Sequence, residues 1–414
     1  MGDRIQVPLD LTDFEVVGSE LVDGWLEVSV TSTFPRGCFH CGSTDVVGHG
    51  RCRRRLRDRG HGYPTVLVWD QRRYRCRDCG RTSRERHPQL LGPKRVTARF
   101  RTALAESACG EPWVDVARRE AVSWWRVADA FDTRAAASDK FSGPAPRVLS
   151  IDESAFKKRF QYHTIVSAPE QRRILELVEG RNQRSATQAL YALPEPWRNT
   201  VDTVVIDMFW PFRLAIEDVL PDARIVADKF HVIRAVDNAA QKVRVRHGRR
   251  VTVVGRDGGL SRQHNPRFDP KVWRSRWLFM RRQHKLTPVE QAGLDQLFAL
   301  HPEIGVAWWL KEAFAHIYQA PNRKEAEQRL DIWIHHVTES GLPEFTNLWR
   351  TLNNWREPIL NYHDDPQTNA YAEGITNKIK VMKRRGYGHR QPHRYRAKVL
   401  ATTRHQPQEP PPTA

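Results

Sequence analysis

Two aspartates each follow a run of residues that is typical of a β-strand. Asp152 comes directly after residues 147–151, and Asp207 comes directly after residues 201–206. Both runs are rich in branched apolar residues, which favour strands. A third acid, Glu373, lies far along the chain in a segment with helical spacing. Carboxylates from separate elements can together hold a pair of divalent cations. The sequence therefore predicts metal-dependent chemistry at these three acids.

The segment around the third acid predicts a helix with a polar face. Glu373, Asn377 and Lys380 are spaced three or four apart, so a helix places all three on one side. On that side the carboxylate would reach a metal ion and the amide would bind a phosphate or a metal-bound water. The lysine would offset phosphate charge. The alternative is a solvated amphipathic helix, and the two preceding aspartates weigh against it.

Three further residues compete with or support these acids. Asp228 ends another predicted strand, where it supports the site, caps the next helix or replaces Asp207 as a metal ligand. His231 follows one helical turn later and either orients an aspartate or a phosphate, or packs in the core. Glu153 comes directly after Asp152, so on a strand it faces the opposite side, and we expect a packing or supporting role.

The elements that must position these groups follow a defined order. The predicted strands are residues 147–151, 162–167, 174–178, 201–206 and 223–227, with helices at 185–191 and 211–219. Three strands, helix, strand, helix, strand is the order of the ribonuclease H-like α/β fold, in which the first and fourth strands are neighbours. Helical spacing with seven tryptophans from about 232 to 362 predicts an all-helical insertion. We expect those tryptophans mainly in the core, with one or two free to stack on unpaired bases.

Two CxxC pairs predict a metal site near the start of the chain. They are Cys38–Cys41 and Cys76–Cys79, and a glycine follows each pair. Four converging thiolates suit one structural Zn²⁺, in a zinc ribbon whose strands join the two turns. The alternatives are two unrelated pairs of buried thiols, or a redox motif, which would need a βαβ setting. We expect the remaining candidates to be bystanders or core residues: His40, His49, Cys52, His61 and Cys109.

The charge balance points to a polyanionic partner. The 414 residues include 67 Lys+Arg against 48 Asp+Glu, a net charge of +19. Residues 36–101 carry 18 basic residues against five acids. Residues 378–404 carry ten basic residues and no acid. Nucleic acid is the commonest partner of such a chain; an anionic membrane is the alternative, but no apolar run is long enough to span a bilayer. Without an apolar leader behind a basic start, we expect a cytoplasmic protein.

Three regions supply the candidate DNA contacts. The arginine run between the CxxC pairs suits phosphate binding, although a solvated basic loop is the alternative. Residues 97–136 have the spacing of short helices, with Ser123 as the expected N-cap of the last, which predicts a helix-turn-helix or else a plain three-helix bundle. The basic block near the end is the third region. The candidate residues are Arg53, Arg54, Arg55, Ser123, Arg126, Lys383, Arg384 and Arg385.

Taken together, these motifs resemble the DDE transposases of bacterial insertion sequences, in particular the ISL-three-type family. The likeness runs from about residue 36 to about residue 400. It is carried by the twin CxxC head with Arg-Arg-Tyr-Arg-Cys76-Arg-Asp-Cys79, by Ile151-Asp152-Glu153 and Val-Val-Ile-Asp207-Met208, by Ala227-Asp228-Lys-Phe-His231, and by Glu373-Gly-Ile-Thr-Asn377-Lys-Ile-Lys380 followed by Arg-Arg-Gly-Tyr-Gly388.

The resemblance implies a domain plan and an activity. It implies an N-terminal segment (1–35), a zinc-binding domain (36–92), a helix-turn-helix domain (93–140) and a catalytic domain (147–404); we expect residues 405–414 to be a disordered tail. The implied triad is Asp152, Asp207 and Glu373, with two Mg²⁺ or Mn²⁺ ions. The implied partners are the terminal inverted repeats and target DNA, bound by a homodimer or higher oligomer at the bacterial nucleoid. The rivals are a zinc-ribbon DNA-binding regulator and a Mg²⁺-dependent nuclease without transfer activity.

Overall fold

The computed structural model divides the chain into two compact units. It describes residues 11–60, 62–90, 95–138, 141, 143–157, 161–247, 251–254, 260–263, 272, 274–386 and 391–404. The first unit contains Met1–Lys140 and Lys380–Ala414, and the second contains Phe141–Ile379. Among the helices in the described part of the chain, none combines the length and apolarity that a membrane crossing needs.

The first unit contains a mixed sheet. Its strands are β1 (Phe14–Val22), β2 (Trp25–Ser32), β3 (Val46–Asp58), β4 (Thr65–Cys76) and β5 (Thr82–Arg84). The order is β1-β2-β4-β3, with β5 paired to β4; only β2 and β4 run parallel. Val28, Leu56 and Trp69 share one core. The β1–β2 hairpin therefore shares a core with the strands between the cysteine pairs, across the predicted limit at residue 35.

Three helices follow where the sequence predicts them. They are α1 (Ala98–Gly110), α2 (Trp113–Arg119) and α3 (Trp124–Ser138). Thr97 caps α1 by accepting a hydrogen bond from the amide of Phe100. Ala121, at φ +49°, makes the tight turn between α2 and α3. Ser123 precedes α3 as expected, and its carbonyl accepts the amide of Arg126 at 2.9 Å.

The second unit contains the sheet that carries the aspartates. Its strands are β6 (Val148–Lys157), β7 (Gln161–Ala168), β8 (Arg173–Glu179), β9 (Thr203–Ile206) and β10 (Arg224–Ala227). The order is β10-β9-β6-β7-β8, with β6, β9 and β10 parallel to one another and β7 and β8 antiparallel to their neighbours. Buried branched side chains such as Ile151, Val204 and Ile206 hold the sheet against its helices. The strands lie where the sequence predicts them, except that β6 continues past Asp152 to Lys157.

Helices cover this sheet and extend beyond it. The shorter α4 (Gln183–Tyr191), α5 (Glu195–Arg198) and α6 (Trp210–Val219) are followed by α7 (Lys229–His247). The later helices are α8 (Arg276–Met280), α9 (Pro288–Leu300), α10 (Pro302–Ile317), α11 (Arg323–Ser340), α12 (Pro343–Asn353) and α13 (Arg356–Leu360). Trp308, Trp333 and Trp355 lie in the core as expected, whereas Trp277 is 78% exposed. Trp273 lies outside the described residues.

The insertion is not all-helical, which corrects that prediction. A hairpin of β11 (Val251–Val254) and β12 (Leu260–Gln263) pairs antiparallel within it. The run Val-Thr-Val-Val of β11 is β-branched throughout, and such residues favour an extended backbone over a helix.

The last two helices carry the chain from the second unit back into the first. Helix α14 (Ala370–Arg385) begins in the second unit, and α15 (Pro392–Arg404) belongs to the first. Ala401 of α15 packs in the core formed by α1, α2 and α3, and Arg394 pairs with Asp132 of α3 at 2.7 Å. Helix α15 therefore packs with the N-terminal helices, although it lies within residues 147–404, the predicted catalytic domain.

Candidate active site and metal centres

The sheet of the second unit brings three aspartates to one edge. Parallel strands β6 and β9 pair with Ile151 opposite Ile206, so Asp152 and Asp207 follow at neighbouring positions. The amide of Asp228 donates to the carbonyl of Ile206 at 2.8 Å, which places the third aspartate beside the second. The carboxyl ends of parallel strands are where α/β proteins bind their ligands.

His231 lies between two of these carboxylates. Its Nδ1 is 2.7 Å from Asp228 Oδ2 and 2.9 Å from Asp207 Oδ1. Hydrogen bonds and charge from Asp207 and then Asp228 raise the pKa of His231 to about 10. Ligand atoms of Asp207, Asp228 and His231 all lie within 4.8 Å of one another, close enough to share one metal ion. The histidine is thus placed to orient both aspartates, one of the roles the sequence offered.

Asp152 is half-buried and accepts hydrogen bonds from two donors. Burial raises the pKa of its carboxyl group, and the charge of Asp207 adds to that effect. The amide of Glu153 donates to Asp152 Oδ1 at 2.7 Å, and the hydroxyl of Thr376 donates to Oδ2 at 3.0 Å. Thr376 lies on α14, so this contact fastens the helix of the third acid to the strand of the first.

Glu373 lies one helical turn before Thr376 on α14. It is half-buried, and its amide donates to the carbonyl of Asn369 at 3.0 Å. Asp152 and Glu373 stand outside the close group formed by Asp207, Asp228 and His231. On the same helix, Asn377 and Lys380 are exposed.

Sequence reasoning missed the groups that support the aspartates. Asn369 is fully buried; its side-chain oxygen accepts a hydrogen bond from the hydroxyl of Ser150 on β6, and its backbone amide donates to Asp228 Oδ1 at 3.3 Å. The sequence did contain a pattern that points to Thr376, because this residue lies three positions after Glu373 and so shares its face of the helix. No such pattern points to Asn369, since its contacts join residues far apart in sequence.

Glu153 pairs with Arg181 at 2.8 Å, and burial raises the pKa of its carboxyl group. The charges of Asp152 and Asp207 also raise that pKa, so the carboxyl group of Glu153 interacts electrostatically with both aspartates. Its ion pair gives it a supporting role of the kind the strand alternation suggested.

The four cysteines of the CxxC pairs converge in the first unit. Cys38 Sγ lies 3.6 Å from Cys79 Sγ, and Cys41 Sγ lies 3.6 Å from Cys76 Sγ. Zn–S bonds of about 2.3 Å at tetrahedral angles separate two sulfurs by about 3.8 Å, so the cluster fits a zinc ion. Backbone amides, chiefly that of Cys41, lower the pKa of Cys38 to about 7, whereas, despite a backbone hydrogen bond from Ser43, the neighbouring Cys76 thiol and burial raise the pKa of Cys41 to about 12.

The other candidate ligands stand apart from this cluster. Cys52 donates to Gln71 Oε1 at 3.4 Å, and the buried Cys109 donates to the carbonyl of Ala105. Neither belongs to the four-sulfur group, and nor do His40 and His49. His61 lies outside the described residues.

The candidate DNA-contact residues differ in their surroundings. On β3, Arg53 is exposed, Arg54 is half-buried, and Arg55 pairs with Glu27 of β2. Ser123 is exposed and Arg126 half-buried at the start of α3. The same turn carries Trp125, which is 67% exposed and which sequence reasoning did not single out. On α14, Lys383 is half-buried, and Arg384 and Arg385 are exposed.

Comparison with known proteins identifies the family. The family model of the ISL-three-type DDE transposases, described as a transposase, matches residues 149–399. The transposase for insertion sequence element IS1001 of Bordetella parapertussis is 28% identical over 367 residues, 88% of each chain. The transposase for insertion sequence element IS1557 of Mycobacterium tuberculosis is 24% identical over 293 residues, 67% of this chain and 65% of that one. The chain belongs to the ISL-three-type transposase family.

Proposed function

We propose that this protein cuts the ends of an insertion sequence and joins them to target DNA, with Asp152, Asp207 and Glu373 as its acidic triad. The observation that carries the proposal is the convergence of three elements. Strands β6 and β9 run side by side into Asp152 and Asp207. The helix that bears Glu373 is hydrogen-bonded to Asp152 through Thr376.

We further propose that the second unit has a ribonuclease H-like fold. Its strand order, with three parallel strands followed outward by the antiparallel β7 and β8, supports this assignment. So does the position of the two aspartates, which directly follow the last paired residues of the parallel strands β6 and β9. The helices and the β11–β12 hairpin between β10 and α14 are then an insertion that leaves the catalytic edge of the sheet intact.

The acidic edge suits divalent cations. Two bound Mg²⁺ or Mn²⁺ ions would supply Lewis acidity at the scissile phosphate and activation of the attacking oxygen. The carboxylates of the triad would hold them, since hard cations prefer oxygen ligands. Thr376 and the amide of Glu153 fix the orientation of the Asp152 carboxylate, and His231 fixes Asp207 against Asp228. Asp228 is the competing ligand, because it shares a close group with Asp207.

The first unit is proposed to bind the terminal inverted repeats. A structural Zn²⁺ held by Cys38, Cys41, Cys76 and Cys79 would fasten the turns at the ends of β3 and β4, and α3 would enter a major groove. The excess of basic residues in this unit supports a DNA partner. We expect a homodimer or larger assembly on DNA, because joining an element to its target requires both ends together.

The decisive test is Asp152→Asn. We expect strand cleavage of end-bearing DNA to fall by more than about 100-fold, since even residues that only support a metal ligand cost 10- to 100-fold, while binding of that DNA is retained. Asp202→Asn is the matched control, because Asp202 pairs with Arg147 at the amino end of β9. Cleavage by Asp152→Asn at the rate of the unaltered protein would refute the triad.

The same assay separates the two rival functions. Cleavage with Mg²⁺ but without joining of the new 3′ ends to a second duplex would indicate a nuclease. Metal-independent binding without any nicking would indicate a regulator. An Asp228→Asn variant that loses cleavage while Asp207→Asn keeps it would replace Asp207 with Asp228 in the triad.

A further inference from the structure

Helix α7 begins at the acidic edge of the sheet and carries one exposed row of side chains. Its first residue follows Asp228 directly, and it continues for 19 residues to His247. The exposed residues of this helix are Phe230, Arg234, Asn238 and Lys242, and each is four positions after the one before. All other side chains of α7 are buried or half-buried.

The row has the length of several nucleotides. Residues four apart in a helix are about 6 Å apart along its axis, so Phe230 and Lys242 are separated by about 18 Å. A DNA strand advances about 3.4 Å per nucleotide along a duplex, so the row matches about five nucleotides. It starts beside the catalytic carboxylates, because the ring of Phe230 lies 5.5 Å from that of His231.

The charged residues of the row are both cations. The acid of α7, Asp237, is half-buried and pairs with Arg282 at 3.0 Å. Arg234 and Lys242 remain on the exposed side, and within the described residues neither has an acidic partner at ion-pair distance. A helix face that is merely solvated usually mixes both signs of charge. This face instead presents cations, an amide and an aromatic ring, the groups that bind a DNA strand.

Phe230 supplies the most specific observation. Its side chain is 53% exposed, two residues after the buried Asp228. An aromatic ring on the rim of a site that handles DNA offers a surface on which a base can stack. Phe230, Arg234 and Lys242 thus combine stacking with phosphate contacts along one line.

We propose that the exposed row of α7 binds one DNA strand as it leaves the active site, with Arg234 and Lys242 on its phosphates and Phe230 stacked on a base beside the cut. Asn238 lies between the two cations and hydrogen-bonds the same strand. This assignment rests on the proposed function of the acidic edge, and it adds a path for the substrate across the second unit.

The phosphate contacts are tested by the salt dependence of binding. The full-length protein is titrated with an end-bearing oligonucleotide in Ca²⁺, over a range of salt concentrations. In the double variant Arg234→Ala/Lys242→Ala, the negative slope of log K against log salt should become shallower by about 1.4–1.8, the value for two lost phosphate contacts. Arg224→Ala/Lys324→Ala removes the same charge from exposed positions at the start of β10 and on α11, and should leave the slope unchanged. Equal slopes for the two double variants would overturn the proposal.

The stacking contact is tested on an oligonucleotide with an unpaired base beside the cut. Phe230→Ala should weaken its binding by about 5- to 150-fold, the range for one base–aromatic stack, and Phe230→Tyr should restore it. Unchanged binding by Phe230→Ala would also overturn the proposal. Because these measurements involve no cleavage, they are independent of the catalytic test. If the unaltered protein cuts DNA ends and both variants bind normally, only the role of α7 is wrong; if it cuts none with Mg²⁺, the proposed function fails.

Discussion

A single hydroxyl joins the helix of one proposed metal ligand to the strand of another. Thr376 is 5% exposed and donates to Asp152 Oδ2 at 3.0 Å. A hydrogen bond to a charged carboxylate is stronger than one between neutral groups, and burial strengthens it further. It also lowers the pKa of Asp152, against the effect of burial. Thr376 is therefore expected to keep this carboxylate ionised and correctly turned, although it does not itself meet the substrate.

Replacing Thr376 with valine tests this positioning role. The two side chains have nearly the same shape, so Thr376→Val removes the donor with little change in packing. We expect metal affinity and DNA cleavage to fall by about 10- to 100-fold, the usual effect of losing a group that orients a metal ligand. Thr376→Ser should recover most of both. The measurements are Mn²⁺ binding by electron paramagnetic resonance and cleavage rate, and a loss in Thr376→Val that Thr376→Ser fails to recover would speak against a hydrogen-bonding role.

At the scale of residues, the sequence predicts the acidic residues better than the residues that hydrogen-bond to them. Asp152 and Asp207 could be proposed because each directly follows a strongly apolar run, and strand type is a local property. The bond from Thr376 to Asp152 spans 224 residues, and no local pattern encodes it. The competition between Asp207 and Asp228 also could not be decided, since both end parallel strands and His231 contacts both.

Among the elements, the two long strands β3 and β4 depend on the turns that their cysteines close. Cys41 lies before β3 and Cys76 ends β4, and the amides of Cys38 and Cys76 hydrogen-bond to the carbonyls of Ser43 and Arg81. These short turns bury little apolar surface, so a metal ion is the natural source of their stability. The CxxC spacing predicted this cluster because it is local. The β1–β2 hairpin was not assigned to the sheet, since its parallel contact between β2 and β4 joins distant segments.

The zinc site can be tested by removing one thiolate. Cys76→Ser should lose the one equivalent of zinc expected per chain and loosen β3 and β4, because a three-thiolate site binds far more weakly. Cys52→Ser should retain the metal, since Cys52 contacts Gln71 instead. Zinc content by atomic spectroscopy and the thermal midpoint provide the measurements. Equal zinc content in the two variants would exclude Cys76 from the site.

Across the whole molecule, the chain returns to its first unit at its end. Tyr395, Val399 and Leu400 of α15 are each at most 2% exposed, and Lys398 Nζ donates to the carbonyl of Glu111 at the end of α1 at 2.8 Å. The sequence showed only a basic block there, because a helix's local pattern identifies an apolar face but not the surface that covers it. The proposed DNA-binding helices α1–α3 are therefore completed by residues that follow the catalytic segment.

Shortening the chain tests this dependence. Deleting residues 392–414 should remove hydrogen-exchange protection from α1 and α3 and lower the thermal midpoint of the first unit. The deletion removes Ala401 from the core of α1, α2 and α3, together with the ion pair between Arg394 and Asp132. Deleting only residues 405–414 is the control, and it should leave both measurements unchanged because it keeps α15 whole. Retained protection of α1 and α3 in the shorter protein would show that the N-terminal helices are stable without α15, and its place in the first unit would then be incidental to DNA binding.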